Sequence, residues 1–423
     1  MLKLIGQKFT KEETSWILYD WANSAYSLVI VTALLPIYFK SVATGSGISE
    51  SASTAYWGYA SSFGTLLVSI SAPLLGTIAD YKGFKKKFFT FFALTGMIMT
   101  LMLALVPNHS WIGLLAIYII SHVGFSGANI FYDGFLVDVT TDERSDLISS
   151  YGYGLGYIGS ALLFIIVVLL QLFGGKFFDV ALLTKISFVL TAVWWFVFSL
   201  SFLKNVHQRY GVAHDPKPVR ASVKRLAETL RHIRQYKVVM FFLIAYFFYI
   251  DGVDTIFTMA TSFGIDMGIS SSTLLVILLM VNIVAFPFTI LYGNLAKRFG
   301  TKPMILTAIG VYILICCLAM IMSKPLHFWI LGFLVATSQG GIQALSRSYF
   351  SRIIPKERSN EFFGFYNIFG KFSAVMGPLL FGVVTQLTGR SQLGIASLIV
   401  LFIVGGLMFI KVPDVEKNNG AIE

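Results

Sequence analysis

The chain has 423 residues, of which 56% are hydrophobic and only 13% are charged, and its mean hydropathy is +0.76. Because water-soluble globular proteins carry about 25% charged residues, this composition excludes both a soluble fold and a disordered chain. The net charge of +11 could indicate nucleic-acid binding, but Lys and Arg also accumulate in the cytoplasmic loops of membrane proteins, so we expect a polytopic membrane protein without a nucleic-acid partner.

Apolar segments long enough to cross a bilayer recur along the whole chain. A membrane-spanning helix needs about 20 predominantly apolar residues, and twelve segments meet that requirement. The predicted spans cover residues 14–39, 54–79, 88–106, 111–138, 149–172, 186–203, 238–263, 272–296, 303–323, 327–350, 361–387 and 392–410. The sequence therefore predicts an all-α integral membrane protein with twelve transmembrane helices.

The distribution of basic residues predicts the topology. An even number of spans puts both termini on the same side of the membrane. If that side is the cytoplasm, 26 of the 32 Lys and Arg residues lie on the cytoplasmic side and five lie in outer loops. This asymmetry follows the positive-inside rule and predicts both termini in the cytoplasm. The compact loops favour a bacterial plasma membrane over a vacuolar membrane.

One long polar stretch, residues 204–237, separates six spans from six. It contains nine Lys and Arg residues and the basic run ASVKRLAETLRHIRQYK. We expect it to form a linker helix that lies on the inner leaflet. The predicted domains are an N-terminal six-helix bundle at 1–203, this cytoplasmic linker, and a C-terminal six-helix bundle at 238–423.

Three short matches relate the two halves of the chain. Residues 76–87, after span 2, align with residues 293–302, after span 8, at an offset of 217. The tripeptide Glu-Arg-Ser at 143–145 recurs at 357–359, at an offset of 214. The spacing of Asp20, Asn23, Ser24 and Ser27 recurs in Asp251, Asp254, Thr255 and Thr258. Duplicated halves are typical of secondary transporters, whose substrate site lies near the bilayer midplane.

Four motifs carry a resemblance to a known superfamily. Residues 76–86 (GTIADYKGFKK) resemble the loop 2–3 signature of the major facilitator superfamily. Residues 19–26 (YDWANSAY), 340–348 (GGIQALSRS) and 361–371 (EFFGFYNIFGK) are similar to its vacuole-effluxer-like branch. The resemblance implies two pseudo-symmetric six-helix bundles that work by alternating access. Fungal members of the branch are associated with amino-acid efflux.

The sequence departs from the general loop signature at three positions. Tyr81 and Phe84 stand where basic residues are common, and Lys297 replaces the acid in the second copy.

Ionisable residues within the spans are confined to one set of helices. They occur on spans 1, 4, 7, 10 and 11, whereas spans 3, 6, 9 and 12 have none inside. In the fold implied by the resemblance, spans 1, 4, 7 and 10 line the central cavity, and intramembrane charge favours function. The candidate substrate and coupling residues are Asp20, Asn23, His122, Asn129, Asp133, Asp251, Asp254, Gln339, Gln343, Arg347, Asn367 and Lys371.

Two interpretations stay open for the charges nearest the midplane. Asp251, Asp254 and Lys371 could form a substrate or proton-coupling site, because a carboxyl group in a changing environment can take up a proton. They could instead form a structural ion pair between spans 7 and 11.

Alternatives stay open for the N-terminal half as well. Asp20 and Asn23 could bind substrate or tie the inner mouth shut, with Arg347 as the partner of Asp20. His122 could relay protons or serve as a hydrogen-bonded structural residue.

The loop signature predicts a gate. Gly76 and Gly83 permit a tight turn and close packing, and Asp80 can accept hydrogen bonds from the N-terminus of a neighbouring helix. The predicted gating residues are Gly76, Asp80, Lys82, Gly83, Lys86, Gly293, Arg298 and Gly300. The alternative is a basic loop that only sets topology. Gly377 and Pro378 predict a kink in span 11 that is either a hinge or a packing feature.

We expect no enzyme, no cofactor and no metal site, because the chain has no HExxH, P-loop or GxSxG motif, and its two cysteines, Cys316 and Cys317, are adjacent in an apolar run. The predicted function is secondary transport of a small polar solute, of which an amino acid is one class, by a monomer in contact with membrane lipids. The acids would allow coupling to protons, and uniport stays open. The alternatives are a transporter-like scaffold or sensor and a lipid or drug exporter.

Overall fold

The computed structural model describes residues 3–4, 7–175, 177–231, 233–322 and 325–413. Within these ranges, twelve helices are long and apolar enough to cross a membrane, which confirms the predicted number of spans. A short antiparallel hairpin of β1 (Lys3–Leu4) and β2 (Gln7–Lys8) precedes the first helix. The hairpin was not predicted, and it leaves the all-α class unchanged.

The helices of the first half form six spans. They are α1 (Lys11–Tyr26), α2 (Leu35–Gly45), α3 (Glu50–Ala79), α4 (Lys85–Leu103), α5 (Trp111–Gly134), α6 (Leu136–Val139), α7 (Asp142–Gly174) and α8 (Val180–Asn205). A π-helical segment, Ser27–Leu34, joins α1 and α2 into one span. This span begins earlier than predicted because Thr10 and Glu13 form a capping box in which each side chain accepts the other's backbone N–H.

The second half begins with the linker helix and then forms six more spans. These helices are α9 (Pro218–Arg231), α10 (Lys237–Asp266), α11 (Ser271–Phe299), α12 (Thr301–Met320), α13 (Pro325–Ile353), α14 (Ser359–Thr388), α15 (Ser391–Ser397) and α16 (Ile399–Ile410). The last two helices together form the twelfth span. Pro378 lies inside α14, where sequence analysis predicts a kink.

Packing divides the chain into two compact units. The first comprises Met1–Thr140, Leu155–Val223 and Glu357–Gly364, and the second comprises Thr141–Gly154, Lys224–Lys356 and Phe365–Glu423. The beginning of α7 thus packs in the second unit, and the beginning of α14 packs in the first. The domain boundaries predicted from the sequence, at 203 and 238, stay a prediction.

Close helix packing in the first unit depends on glycine. A Cβ atom on Gly124 would lie 2.3 Å from the backbone nitrogen of Gly96, so only glycine lets α4 and α5 approach this closely. The aromatic core of the unit includes Trp16, Tyr19 and Tyr132, which are buried, and the ring of Tyr132 contacts both of the others.

The second unit is built around an aromatic cluster. Tyr246 stacks on Tyr366, and Phe242 stacks on Tyr349. Away from such cores, large apolar side chains are exposed on the helices, as Phe196 is on α8 and Val400 on α16. A bilayer would cover these side chains, as expected for the spans that carry no charge.

Candidate functional site

A buried carboxylate at the end of α3 binds the N-terminus of α14. Asp80 accepts hydrogen bonds from the backbone N–H of Asn360 (2.9 Å), from its side-chain amide (3.0 Å), and from the backbone N–H of Glu361 (3.0 Å). The first N–H groups of a helix have no partner within it, so an acid is favourable there. A Cβ atom on Gly76 would lie 2.2 Å from the carbonyl oxygen of Asn360, so glycine is required for this approach. We call this contact the Asp80 latch.

Burial favours the protonated form of the Asp80 carboxyl group in the latch. Asp80 is 1% exposed, and this burial raises its pKa to about 7 because the charged form loses its hydration. The charge of Lys85 and the two backbone N–H groups oppose the increase. The latch acid therefore titrates near neutral pH.

A buried ion pair lies beside the latch. The ammonium group of Lys85 donates to the carboxylate of Asp138 (2.6 Å) and to the hydroxyl of Ser359 (2.8 Å), and both charged side chains are fully buried. The same carboxylate accepts the backbone N–H groups of Arg209 (2.7 Å) and Tyr210 (2.9 Å). Asp138 thus connects the first residue of α4 to the linker.

Sequence analysis missed this pair. It selected Lys82 and Lys86 from the signature, but Lys82 is exposed and Lys86 is half-buried. Lys85 and Asp138 are 53 residues apart, and no spacing rule connects them. The available signal was their position: Lys85 lies three residues before the predicted span 88–106, and Asp138 is the last residue of the predicted span 111–138.

The linker continues along the signature loop as an extended strap, residues 208–212. The side-chain oxygen of Gln208 accepts the N–H of Gly83 (2.9 Å). Val212 donates to the carbonyl of Asp80 (2.9 Å) and accepts from the N–H of Lys82 (3.2 Å). Gly83 has φ = +82°, a left-handed conformation that favours glycine. The strap fixes the loop that carries the latch acid.

The second unit holds a related cluster around a different acid. Asp146 accepts hydrogen bonds from the hydroxyls of Thr301 and Ser348 and pairs with Arg352 (3.0 Å). The offset of 214 that relates the halves aligns Asp146 with Asn360. The acid of the first contact is therefore in the loop after α3, whereas the acid of the second contact is on the helix α7. We call this contact the Asp146 cluster.

The predicted gating residues of the second copy flank this cluster. A Cβ atom on Gly293 would lie 2.5 Å from the hydroxyl of Ser150. Gly300 has φ = +90° and ends α11. Lys297 and Arg298 are exposed, and the guanidinium of Arg298 lies over the ring of Phe299.

A fully buried acid within the membrane span α10 contacts α14 at the residue before Pro378. Asp251 accepts the backbone N–H of Gly377 (2.9 Å) and the hydroxyl of Thr255 (3.4 Å) through its Oδ1 atom. Its Oδ2 atom is buried without a hydrogen-bond partner among the residues that the structure describes. A Cβ atom on Gly377 would lie 1.9 Å from the Thr255 hydroxyl, so the close contact requires glycine.

The other predicted charges of the second unit divide into two environments. Asp254 and Lys371 are both half-buried, and the charge of Lys371 acts electrostatically on Asp254. Arg347 is buried, donates to the hydroxyl of Ser149 (2.9 Å), and lies over the ring of Tyr153. Its predicted tie to Asp20 stays a prediction.

Three polar residues complete the predicted set in this unit. Gln339 is 5% exposed, and its side-chain oxygen has no hydrogen-bond partner among the described residues. Gln343 and Asn367 are half-buried.

Within the first unit, polar residues of α1 and α5 meet. The side-chain amide of Asn23 donates to the side-chain oxygen of Asn129 (2.6 Å). Asp20 is 7% exposed, and Asp133 is half-buried. Sequence analysis placed these four residues on the cavity-lining spans, but it did not predict the amide pair.

His122 contacts polar and aromatic neighbours. Its Nε2 atom lies 3.2 Å from the hydroxyl of Thr65 and 3.5 Å from that of Ser126. Its ring contacts Tyr118 on the same helix. Both predicted roles of His122, the proton relay and the structural residue, stay predictions.

Comparison with known proteins identifies the family to which this chain is similar. Residues 49–421 match the model of the family described as vacuole effluxer Atg22 like. The chain is 53% identical over 416 residues to the MFS-type transporter YxiO of Bacillus subtilis (strain 168), covering 98% of this chain and 97% of that protein. It is 21% identical to autophagy-related protein 22 of Eremothecium gossypii, covering 96% and 91%.

Solved structures share the fold at low identity. The proton:xylose symporter XylE superposes with a TM-score of 0.73 at 13% identity, covering 96% of this chain and 98% of that chain. The human organic anion transporter MFSD10 superposes with a TM-score of 0.72 at 13% identity, covering 94% and 99%. These matches show the major facilitator fold. The chain therefore belongs to the vacuole effluxer Atg22-like family and is a membrane transporter of the major facilitator type.

Proposed function

We propose that this transporter moves a small zwitterionic solute, with an amino acid as the favoured class, by alternating access coupled to protons. The observation that carries the proposal is Asp251, a fully buried acid whose Oδ1 accepts the N–H of Gly377, the residue before Pro378 in α14. A buried carboxylate is costly unless it is paired or protonated. Proton uptake would therefore be favoured at this acid.

Protonation of Asp251 would release the kink. A charge-assisted hydrogen bond is about twice as strong as a neutral one, so the neutral acid holds Gly377 less tightly. Pro378 already removes one hydrogen bond from the helix at this point. The proton would thus change the bending freedom of α14, in keeping with the hinge, which is one of the two roles that the sequence leaves open for Gly377 and Pro378.

Asp254 and Lys371 are the proposed solute contacts. Both are half-buried and carry opposite charges, as an ammonium and a carboxylate group of one solute would require. The family description of vacuole effluxer supports export as the direction. The proposal includes a monomer in the plasma membrane with both termini in the cytoplasm, and the asymmetry of the basic residues supports this orientation.

The Asp80 latch is the proposed gate. Its hydrogen bonds hold the start of α14, and Asp251 contacts the same helix 16 residues after Glu361. Both contacts are thus made by α14, so a change at the proton site could reach the gate through this helix.

Transport in proteoliposomes with an imposed pH gradient tests the proposal, after a thermal-shift screen of solutes has identified the one that stabilises the protein. We expect Asp251→Asn to reduce gradient-driven transport at least tenfold while solute exchange without a gradient continues. Asp179→Asn, at an exposed position before α8, is the matched control and should transport normally. Full gradient-driven transport by Asp251→Asn would remove this acid from the mechanism.

An apolar cavity in the second unit favours a second candidate, export of a lipid or drug. It has a volume of about 80 Å³, and its described lining residues, which include Phe257, Phe263, Leu278 and Phe328, are apolar. The same thermal-shift screen should include apolar solutes. Stabilisation by these and not by zwitterions would favour this candidate.

A further inference from the structure

The linker helix α9 exposes two adjacent rows of side chains. Val219 is 58% exposed and Val223 is 50% exposed, and exposed Ala227 continues this apolar row at intervals of four residues. At 3.6 residues per turn, Arg220, Lys224 and Arg231 form a second row beside the first. All three of these basic residues are exposed. We call the two rows together the α9 face.

The protein packs against the other side of this helix. Ser222 and Thr229 are buried, at 0% and 2% exposure. A surface helix in water normally buries its apolar row and exposes its polar residues. Here small polar residues are buried while two valines are exposed, so water is a poor environment for the α9 face.

The position and charge of α9 indicate what covers this face. Arg231 is six residues before Lys237, where the membrane-spanning helix α10 begins, and six residues reach about 20 Å at most. The stretch 204–237 carries nine Lys and Arg residues against two acids, Asp215 and Glu228. Lys224 approaches Glu228 at 3.8 Å, but this pair is exposed and therefore weak.

We propose that the α9 face docks on anionic phospholipid headgroups of the membrane that the protein spans. The valines enter the interfacial region, and Arg220, Lys224 and Arg231 bind the negative surface. This combination of an apolar row and flanking basic residues is typical of interfacial helices. The docking depends on the membrane fold and is independent of the transported solute, so it can fail or hold separately from the proposed function.

Site-directed fluorescence on the whole protein tests the docking. In a Cys316→Ala/Cys317→Ala background, an environment-sensitive probe is attached to Val223→Cys or to Glu228→Cys. Glu228 is the matched control, because it is exposed on α9 but lies beyond the basic row, away from the valines. The protein is reconstituted in vesicles of phosphatidylcholine alone or with 30% phosphatidylglycerol, with and without spin-labelled lipid. We expect quenching at position 223 to be several-fold greater in anionic vesicles, and quenching at position 228 to stay low in both.

Charge removal sharpens the test. Each basic residue near an anionic surface contributes on the order of fivefold to partitioning, so Arg220→Gln/Lys224→Gln/Arg231→Gln should abolish the increase at position 223. Removing the same charge elsewhere, with Lys8→Gln/Lys11→Gln/Lys411→Gln, should leave it intact. Equal quenching in both vesicle types, or equal loss in both triple variants, would overturn the proposal. A probe that stays in water in every vesicle would overturn it as well.

Discussion

The Asp80 latch and the Asp146 cluster are related by the internal repeat, yet they place the acid on opposite sides of the contact. In the latch the acid follows α3 and accepts backbone N–H groups at the start of α14. In the cluster the acid is on α7 and accepts side-chain hydroxyls and Arg352. The position equivalent to Asp80 is Lys297, which is exposed.

The difference teaches that the two contacts have different requirements. Backbone N–H groups cannot be changed by mutation, so the latch depends on one carboxylate and on the clearance provided by Gly76. The cluster shares its acid among three side chains, and each can be replaced separately. We therefore expect changes at Lys85 and Gly76, around the latch, to cost more than the corresponding changes at Arg352 and Gly293, around the cluster.

The largest difference should come from removing the basic partner in each unit. Lys85→Met leaves Asp138 buried without its counter-charge, which typically costs about 3–5 kcal/mol. Arg352→Met should cost less, because the side chains of Arg352 and Asp146 keep 8% and 6% exposure, whereas those of Lys85 and Asp138 have none. Thermal unfolding in detergent measures both, and Lys85→Met/Asp138→Asn should recover part of the loss. Equal losses would show that the two contacts are energetically alike.

A smaller difference should separate the two glycines. Gly76→Ala meets the backbone oxygen of Asn360, and overpacking of this kind costs about 1–3 kcal/mol. Gly293→Ala meets the side chain of Ser150, so the added change Ser150→Gly should relieve the clash and return most of the stability, apart from about 1 kcal/mol for glycine within a helix. If Ser150→Gly restored nothing, the clash in the second unit would also involve the backbone.

The smallest effect at neutral pH is expected for Asp80→Asn, but its pH dependence is diagnostic. Because the pKa of Asp80 is raised to about 7, the stability that its protonation contributes is complete below pH 4 and is lost as the pH rises through 7. Unfolding temperatures between pH 5 and pH 8.5 should therefore fall more steeply for the wild type than for Asp80→Asn. Asp146→Asn is the control, and parallel curves for Asp80→Asn and the wild type would contradict the role of burial.

The spans and the latch could be predicted from the sequence, whereas most partners in the site could not. Hydropathy over about 20 residues defines a span locally, and an acid in a signature loop is expected at a helix N-terminus. By contrast, Gln208 meets Gly83 across 125 residues, and no periodicity relates the two. Asp251 and Gly377 were both selected as candidates, but their contact depends on helix packing that sequence does not specify.

The strap at 208–212 also decides where this chain can be divided. Its hydrogen bonds to the loop at 80–83 make it part of the first unit, so a break there would remove a strand-like pairing that the N-terminal fragment needs. Residues 213–217 follow the strap and precede α9, and most of them are exposed. Split proteins, inserted tags and circularly permuted variants should therefore be designed with their new ends in this short segment.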